Sequence, residues 1–439
     1  MNSDFTRRRF LRRTAWAAAG MTAAPHFMST RASANGKINV GFVDVANRAG
    51  EDLAEVAKLT DRVNVAALCD VDDRYLEQAK QKYPGARAYN DFRRLIDQKD
   101  LEAVVVGTPD HTHAVAAAAA LRTNRHVYCE KPLTRTISEC RVLEELTRKH
   151  RRVTQLGTQI HAGDNYRRVV EMIQTGAIGS VREVHVWVSA SYGGMNRPQD
   201  RPPVPAGLHW DLWLGPVEPC DYHPDYAPFL CRNLWRFGGG SLADFGCHFL
   251  YLPHWALDLR HPLSAEPIAG PPVHPDSSPP WAIVRYEYPA RRTSGSGPAL
   301  PPVVLTWYHG GKQPSLLNEE QAQYFKSGVL FSGEKGQLLA DYTRRQLLPE
   351  KEFAGFVPPA PFIPKSIGHH KEWVEAICNG RGTTCNFDYS GPLTETALLG
   401  NVAYRVGRKI QWDASRLRAA GCPEAGQFIQ HRYRRGWKL

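Results

Sequence analysis

Nearly continuous apolar runs alternate with amphipathic stretches between residues 37 and 158. The apolar runs predict strands at 38–43, 64–69, 101–107, 126–129 and 153–156. The stretches between them predict helices, among them 113–121 and 138–149. Strands that are apolar on both faces are typical of a parallel sheet covered by helices on both sides. We therefore expect residues 37–158 to form a doubly wound α/β domain.

From residue 159 onward, polar and apolar positions alternate with period two in several runs. These runs predict strands at 182–188, 283–288, 303–308 and 328–332, and helices are predicted at 165–174, 369–379 and 393–409. Alternation of this kind predicts a sheet with one buried face and one face open to solvent or a ligand. We expect an α+β domain with an open, mostly antiparallel sheet over 159–410, followed by a C-terminal extension, 411–439, that packs on the body.

The first strand leads into INVGFVDVANRAG, residues 38–50, which has the pattern of a strand, a turn and the start of a helix. Turns of this kind normally carry G-x-G-x-x-G, because glycine lets backbone amides approach a pyrophosphate. Here Asp44, Ala46 and Ala49 occupy the glycine positions. At roughly 5 Å and a dielectric of about 20, a carboxylate facing a phosphate charge costs about 3 kcal/mol. Alternatively, the carboxylate accepts the helix N–H groups itself and takes the place of the phosphate.

The first 34 residues have the pattern of a targeting segment. Residues 6–12, TRRRFLR, resemble the twin-arginine consensus, and a mildly apolar stretch, 15–28, and the small-residue site 32–34 follow. We expect residues 1–34 to be a signal peptide that engages the twin-arginine translocon and directs the protein to the periplasm or outside the cell. This segment supplies +5 of the formal net charge of +11.

Composition excludes several function classes and leaves one cysteine pair undecided. The remaining positive charge is modest and forms no basic patch interleaved with aromatic residues, so we expect no nucleic-acid partner. The apolar runs are too short to predict a membrane span. Nine cysteines are scattered without zinc-type spacing, and Cys220 and Cys231 could pair in an oxidising compartment.

Several motifs spread over the chain resemble one family. They are CDVDD (69–73), GTPDHTHA (107–114), HVYCEKPL (126–133), GTQIHAGDNYRR (157–168), WDLWLGP (210–216), DFGCH (244–248), GHHKEWVEA (368–376) and FDYSGPLTE (387–395). On these residues the chain resembles the Gfo/Idh/MocA oxidoreductases. The resemblance implies a Rossmann domain followed by an α+β domain whose open sheet often mediates oligomer contacts. It further implies NAD or NADP as cofactor, a carbohydrate substrate and a homo-oligomer.

The resemblance assigns cofactor contacts at the ends of the predicted strands. Asp70 ends the second strand, where an acidic residue commonly binds the adenosine ribose, although a turn or helix-capping role is equally open. Thr108 and Pro109 follow the strand 101–107 on the nicotinamide side, and His113 and Glu130 complete the set.

The resemblance also implies catalytic residues. Lys131 matches the family lysine that contacts the substrate hydroxyl, and a lysine there can stabilise an alkoxide. Asp244 and His248 are four residues apart and share a helix face. His248 is expected to be the general base, with Asp244 orienting it or binding a neighbouring hydroxyl. Tyr251 stands where relatives usually carry Asp, and it either adds a phenol to the site or packs in the core.

Three functions remain open at this point. The first is a sugar oxidoreductase, or a redox-assisted glycosidase, with tightly held NAD(P). The second is a redox-neutral, NAD-independent glycoside hydrolase or lyase that uses the same Lys/Asp/His site. A metal could assist it through His111, His113, His161 and Asp164, although their spacing does not predict a metal site. The third is a non-catalytic glycan-binding protein that uses some of its tryptophans.

Overall fold

The computed structural model describes residues 36–291 and 299–439. The predicted signal segment, 1–34, lies outside the described residues. In the first domain, six parallel strands form a sheet in the order β3-β2-β1-β4-β5-β6. They are β1 (Ile38–Val43), β2 (Val63–Cys69), β3 (Arg87–Tyr89), β4 (Ala103–Val106), β5 (His126–Cys129) and β6 (Thr154–Leu156). β4 and β5 are buried along their whole length, as their apolar runs predict.

Helices cover both faces of this sheet. They are α1 (Asn47–Ala57), α2 (Asp73–Lys82), α3 (Phe92–Asp97), α4 (Asp110–Arg122) and α5 (Ile137–His150). Asp72 caps α2 through the amide of Arg74, and a capping box between Thr136 and Glu139 starts α5. The strand order reverses between β1 and β4, which in such sheets marks the ligand-binding crevice.

The second sheet has nine strands in the order β13-β12-β11-β7-β10-β9-β8-β14-β15. It consists of β7 (Val181–Trp187), β8 (Ser264–Ala269), β9 (Ala282–Tyr288), β10 (Val303–His309), β11 (Gly328–Gly333), β12 (Gly336–Ala340), β13 (Arg345–Leu348), β14 (Ile410–Asp413) and β15 (Arg418–Ala420). The pairing of β7 with β10 is parallel, and the other pairs are antiparallel. The predicted fold class is therefore confirmed.

The helices of the second half pack on this sheet and on the first domain. They are α6 (Asp164–Gln174), α7 (Trp210–Leu214), α8 (Gly240–Phe249), α9 (Tyr251–Leu257), α10 (Glu319–Tyr324), α11 (His369–Asn379), α12 (Phe387–Val406) and α13 (Gly426–Ile429). None of the helices among the described residues is both long and apolar enough to cross a membrane.

Two predicted boundaries need correction. α11 returns to the first domain, where its Trp373 is fully buried in the same cluster as Val40 and Phe42. The second sheet also continues past residue 410, because β14 pairs with β8 and β15 forms the edge beyond it. The C-terminal extension therefore starts after residue 420 rather than at 411. The packing of α11 and the pairing of β14 and β15 both depend on segments that are distant in the chain, and the pattern of apolar positions does not identify those segments.

Candidate functional site

A cavity of about 400 Å³ opens at the carboxyl ends of the parallel strands. Asp44 after β1, Asp70 after β2, Thr108 after β4 and Lys131 after β5 all line it. Asp244 of α8 lines it from the second domain. The structure thus brings predicted cofactor residues and two predicted catalytic residues to one continuous crevice.

Asp44 takes the backbone conformation that a glycine would otherwise supply. Its φ is 75°, in the left-handed region that side chains rarely adopt. Its Oδ1 accepts a hydrogen bond from the Ala46 amide at 3.0 Å. Ala46 is the N-cap of α1, and no side chain caps the helix. Asp44 therefore accepts the amide of the N-cap residue, and the hydrogen bonds of the described residues include none from the later first-turn amides to its carboxyl group.

The methyl group of Ala49, which occupies the third glycine position, is accommodated by a glycine at the end of the neighbouring strand β4. Ala49 is buried in the first half of α1, where a methyl group would hinder close packing of helix and sheet. The facing residue is Gly107, at the end of β4, and a Cβ there would lie 2.5 Å from the Ala49 Cβ. Gly107 leaves room for the Ala49 methyl group, so α1 keeps its close approach to the sheet.

The Asp44 and Asp70 carboxyl groups lie together at the mouth of this turn. Asp70 accepts hydrogen bonds from the amides of Val45 at 3.2 Å and Asp72 at 2.9 Å. Burial, and then the charge of Asp70, raise the pKa of Asp44 well above its usual range. Burial raises the pKa of Asp70 to about 6, although the two amides oppose it. The ionised form of Asp44 is therefore disfavoured, which weakens the charge repulsion expected from the sequence.

The remaining predicted cofactor residues have distinct roles. His113 faces the carbonyl oxygens of Pro132, 2.7 Å from Nδ1, and Thr108, 2.6 Å from Nε2. Both ring nitrogens therefore contact backbone carbonyl oxygens, and His113 stabilises the loop that follows Lys131. Thr108 Oγ1 is buried and has no protein partner, so it is free to bind a ligand. Pro109 lines the same wall of the cavity.

Glu130 is buried beneath Lys131 in a polar network. It accepts a hydrogen bond from Gln159 Nε2 at 2.6 Å, and Arg48 Nε lies 3.4 Å away. Burial, and then the charge of Asp52, raise the pKa of Glu130 to about 8. Through Arg48, the Glu130 carboxyl group connects the end of β5 to α1 and stabilises this side of the crevice.

Lys131 and Asp244 form a buried ion pair between the two domains. Arg232 Nη1 lies 3.2 Å from the other oxygen of Asp244. Burial alone would raise the pKa of Asp244, but Lys131 and Arg232 outweigh it and hold the pKa below its usual range. Burial also opposes the charge on Lys131, yet Asp244 and Glu130 raise its pKa. Lys131 is therefore a permanent cation at the crevice.

His248 follows Asp244 by one turn of α8, as predicted, and is half-buried. Its Nδ1 is buried without a hydrogen-bond partner. Burial, and then the charge of Lys131, lower the pKa of His248 to about 3, so the ring is neutral. It lies behind the residues that line the cavity. Asp244 is committed to Lys131 and Arg232, so it positions the lysine and not the imidazole.

Tyr251 belongs to the core. It begins a separate helix, α9, is fully buried, and its ring lies 5.1 Å from His161 and 5.6 Å from Tyr166. The sequence predicts Tyr251 and Asp244 on one face of a single helix, but α8 ends at Phe249, before Tyr251. The structure therefore gives Tyr251 no contact with the crevice.

The four residues considered as metal ligands do not converge. His111 lies in the first turn of α4 and contacts the Trp213 carbonyl oxygen at 2.8 Å, while His161 stacks on Trp255 with ring centroids 4.3 Å apart. Asp164 is exposed at the start of α6. Over residues 36–291 and 299–439, no group of three or more His, Cys, Asp or Glu side chains is arranged to hold a metal ion. Cys220 and Cys231 are free thiols.

Sequence reasoning missed two charged residues of the site. Arg232 lies in a loop without periodicity, and its guanidinium carbon sits 4.2 Å from the centre of the Phe229 ring. Asp110 starts α4 and lines the crevice, and burial raises the pKa of its carboxyl. Its position directly after Thr108 and Pro109 was an available signal, whereas nothing near Arg232 in the sequence pointed to the site.

Asp44→Asn should flatten the pH dependence of stability above about pH 5. The pKa of Asp in an unfolded chain is about 3.9, and the folded pKa values of Asp44 and Asp70 both lie above it. The stability contributed by the bound protons is complete below about pH 4 and is lost as the pH rises through the folded pKa values. The Asn side chain of the variant does not titrate in this range. The Tm of the Asp44→Asn variant should therefore fall less than the Tm of wild type between about pH 5 and 8.

The exposed Asp61→Asn variant is the matched control and should follow wild type. Glu130 and Glu144, whose pKa values are raised to about 8 and about 7, titrate in every variant, so the difference between variants reports on Asp44. Equal slopes in wild type and Asp44→Asn would mean that Asp44 is ionised in the folded protein.

Gly107→Ala should destabilise the protein, and Ala49→Gly in the same chain should restore part of the loss. The added Cβ would lie 2.5 Å from the Ala49 Cβ and 3.0 Å from its Cα, and overpacking of this kind costs about 1–3 kcal/mol. Urea unfolding of both single variants and the double variant measures the coupling. Losses that simply add would show that the two positions do not touch.

Comparisons with known proteins agree with this architecture. Residues 38–158 match the family model described as an oxidoreductase family with an NAD-binding Rossmann fold, and residues 174–292 match the model of its C-terminal alpha/beta domain. Together the two matches cover more than half of the chain.

Curated relatives align over about a third of the chain. Inositol 2-dehydrogenase of Salmonella typhimurium is 33% identical over 150 residues, which are 34% of this chain and 45% of that protein. A glycosyl hydrolase family 109 protein of Solibacter usitatus is 33% identical over 161 residues, 34% of this chain and 36% of that protein. The chain therefore spans less than half the length of each of these relatives.

Solved structures share the fold over most of the chain. The aldose-aldose oxidoreductase of Caulobacter crescentus, solved with glycerol, has a TM-score of 0.59 at 19% identity and covers 86% of this chain and 100% of its own. The WlbA dehydrogenase of Bordetella pertussis, solved with NADH and UDP-GlcNAcA, has a TM-score of 0.59 at 18% identity and covers 86% and 99%. With its two domain models, its fold and its crevice, the chain belongs to the Gfo/Idh/MocA oxidoreductase family.

Proposed function

We propose that this protein is a carbohydrate oxidoreductase, or a redox-assisted glycosidase, that keeps an NAD(P) cofactor tightly bound. The observation that carries the proposal is the single crevice that runs from the start of α1 to the ion pair of Lys131 and Asp244. Relatives that act on inositol, and structural neighbours solved with NADH, support the same assignment.

The residues of the crevice fit a dinucleotide despite the missing glycines. Asp44 supplies the positive φ of the turn, and burial raises the pKa of its carboxyl group. Ala49 is accommodated by Gly107, and no side chain caps α1. The helix N-terminus is therefore open to a pyrophosphate. Asp70 would hold the ribose, and Thr108 would face the nicotinamide end. When bound, the cofactor supplies a hydride acceptor for the oxidation of a sugar hydroxyl.

The charged residues at the other end would handle the substrate hydroxyl. Lys131 stabilises the developing alkoxide, because its charge is permanent and its position is held by Asp244. His248, one turn of α8 after Asp244, is the residue we assign to take the hydroxyl proton. Burial and the Lys131 charge lower its pKa to about 3, so the ring is neutral before the transfer.

The same proposal includes the cellular setting. If residues 1–34 direct export through the twin-arginine pathway, the cofactor travels inside the folded protein and is regenerated in place. The broad second sheet is the surface we assign to self-association in a homo-oligomer.

One observation favours a second candidate, a redox-neutral glycoside hydrolase or lyase that binds no NAD. Asp44 places a carboxyl group in the turn where the pyrophosphate of a dinucleotide would lie. The relative from Solibacter usitatus bears a glycosyl hydrolase name. The two candidates differ in whether active protein carries a nucleotide.

Denaturing the purified protein and analysing the released small molecules by mass spectrometry distinguishes them. Our proposal predicts about one NAD or NADP per chain in wild type. Lys131→Met should keep this content and lower kcat on the best sugar of a panel by about 10²–10⁴-fold, because the alkoxide loses its cation. Lys131→Arg should recover part of the activity.

Lys351→Met, at an exposed position, is the matched control and should behave as wild type. Wild-type protein that cleaves or oxidises a sugar and releases no nucleotide would exclude the proposed cofactor and favour the second candidate. Full activity of a folded Lys131→Met variant would remove Lys131 from the mechanism.

A further inference from the structure

Residues 430–439, which we call the strap, cross from the second domain to the first. Arg434 anchors it, because Nε donates to the Gly215 carbonyl oxygen at 2.6 Å and Nη2 donates to the Asp211 carbonyl oxygen at 2.6 Å. The Arg434 side chain is only 11% exposed and also forms an ion pair with the Asp211 carboxylate. These contacts fix the strap on α7.

A second anchor lies on the first domain. The Tyr433 hydroxyl donates to Oε1 of the buried Glu139, in α5, at 2.6 Å. Leu439 packs against the hydrophobic core of the first domain. The strap is therefore held at both domains by defined contacts, so the residue between these anchors has a fixed position.

That residue is Trp437, and it forms part of the cavity wall. Gly436, at φ 89°, makes the turn before it. The Trp437 ring centre lies 5.9 Å from that of Phe92, and the Arg93 guanidinium carbon lies 4.6 Å from it. The indole is half-buried, so α3 covers part of it and the cavity remains open to the rest.

Trp437 lies at the adenosine end of the crevice. Asn90, Asp91 and Phe92, which follow β3, line the cavity together with Asp70, and an acidic residue at the end of β2 is where the adenosine ribose binds in such folds. Aromatic side chains recognise bases of any sequence by stacking on their faces. A half-open indole at this position suits a purine.

The opposite side of the same end is closed by the second domain. The Asp73 amide donates to the Gly207 carbonyl oxygen at 2.9 Å, and Leu208 and Leu212 line the cavity there. The adenosine end therefore lies between a loop of the second domain and the strap, both of which cross the opening from outside the first domain.

We propose that Trp437 contacts the purine base of the bound nucleotide and that the strap slows the release of the nucleotide. This inference rests on the proposed function, because it requires a nucleotide in the crevice. It makes the retention of the cofactor a property of a segment that lies outside both family domains.

Binding of NADH, AMP and nicotinamide mononucleotide to nucleotide-stripped full-length protein tests the inference. Trp437→Ala should weaken NADH and AMP binding by roughly 10- to 100-fold, in line with the loss of one base–aromatic stack. It should leave nicotinamide mononucleotide unchanged, because that ligand lacks the purine. Trp437→Phe should retain most of the affinity. Arg434→Ala should increase the NADH release rate measured by stopped-flow displacement.

Lys438→Ala, exposed on the same segment, is the matched control and should bind all three ligands as wild type. Thermal unfolding of each variant confirms that it is folded. If wild type binds NADH and Trp437→Ala binds NADH and AMP equally well, the inference is wrong and the proposed function stands. If wild type binds neither NADH nor AMP yet acts on sugars, the proposed function is wrong and the inference falls with it.

Discussion

The buried ion pair between Lys131 and Asp244 is the contact on which the crevice depends. Lys131 comes from the end of a parallel strand in the first domain, and Asp244 comes from α8 in the second. Removing one partner from a buried pair commonly costs about 3–5 kcal/mol, since it leaves a charge without compensation. Arg232 adds a second cation to Asp244. The same ion pair therefore positions Lys131 in the crevice and joins the two domains.

Around this pair, burial disfavours the ionised form of other acidic groups. Asp44 and Glu130 both have pKa values raised above their usual range, whereas Lys131 and Arg232 hold the pKa of Asp244 below its usual range. A turn without glycine normally signals a lost phosphate site. Here the positive φ of Asp44 and the space that Gly107 leaves for the Ala49 methyl group preserve the shape of the turn. The turn lacks the glycines that its sequence pattern normally requires, and neighbouring residues compensate for their absence.

Much of this architecture could be predicted from the sequence, because its determinants are local. The apolar runs located the buried strands to within about two residues, and the i, i+4 spacing placed Asp244 and His248 on one helix. The three-residue β3 was missed because its side chains are exposed or half-buried. α12 begins six residues before the predicted helix, since Asn386 caps it and Pro392 is accepted near its start.

The rest depends on tertiary contacts that no window of sequence contains. Tyr251 was placed with Asp244 because helical periodicity was extended past Phe249, where the helix changes. Arg232 and Trp437 reach the crevice only through the folding of a loop and the strap. The raised pKa of Asp44 is a consequence of burial beside Asp70, and the sequence contains the two residues without revealing that they meet.

The central proposal is that one crevice accommodates a dinucleotide between the glycine-free turn and Lys131. A crystal structure of the protein grown with NADH tests it most directly. We predict a pyrophosphate at the start of α1, with Asp44 in its present turn, and a nicotinamide ring directed towards Lys131. A well-ordered crevice without nucleotide at saturating NADH, with the Asp44 carboxyl in the position of the pyrophosphate, would contradict the account.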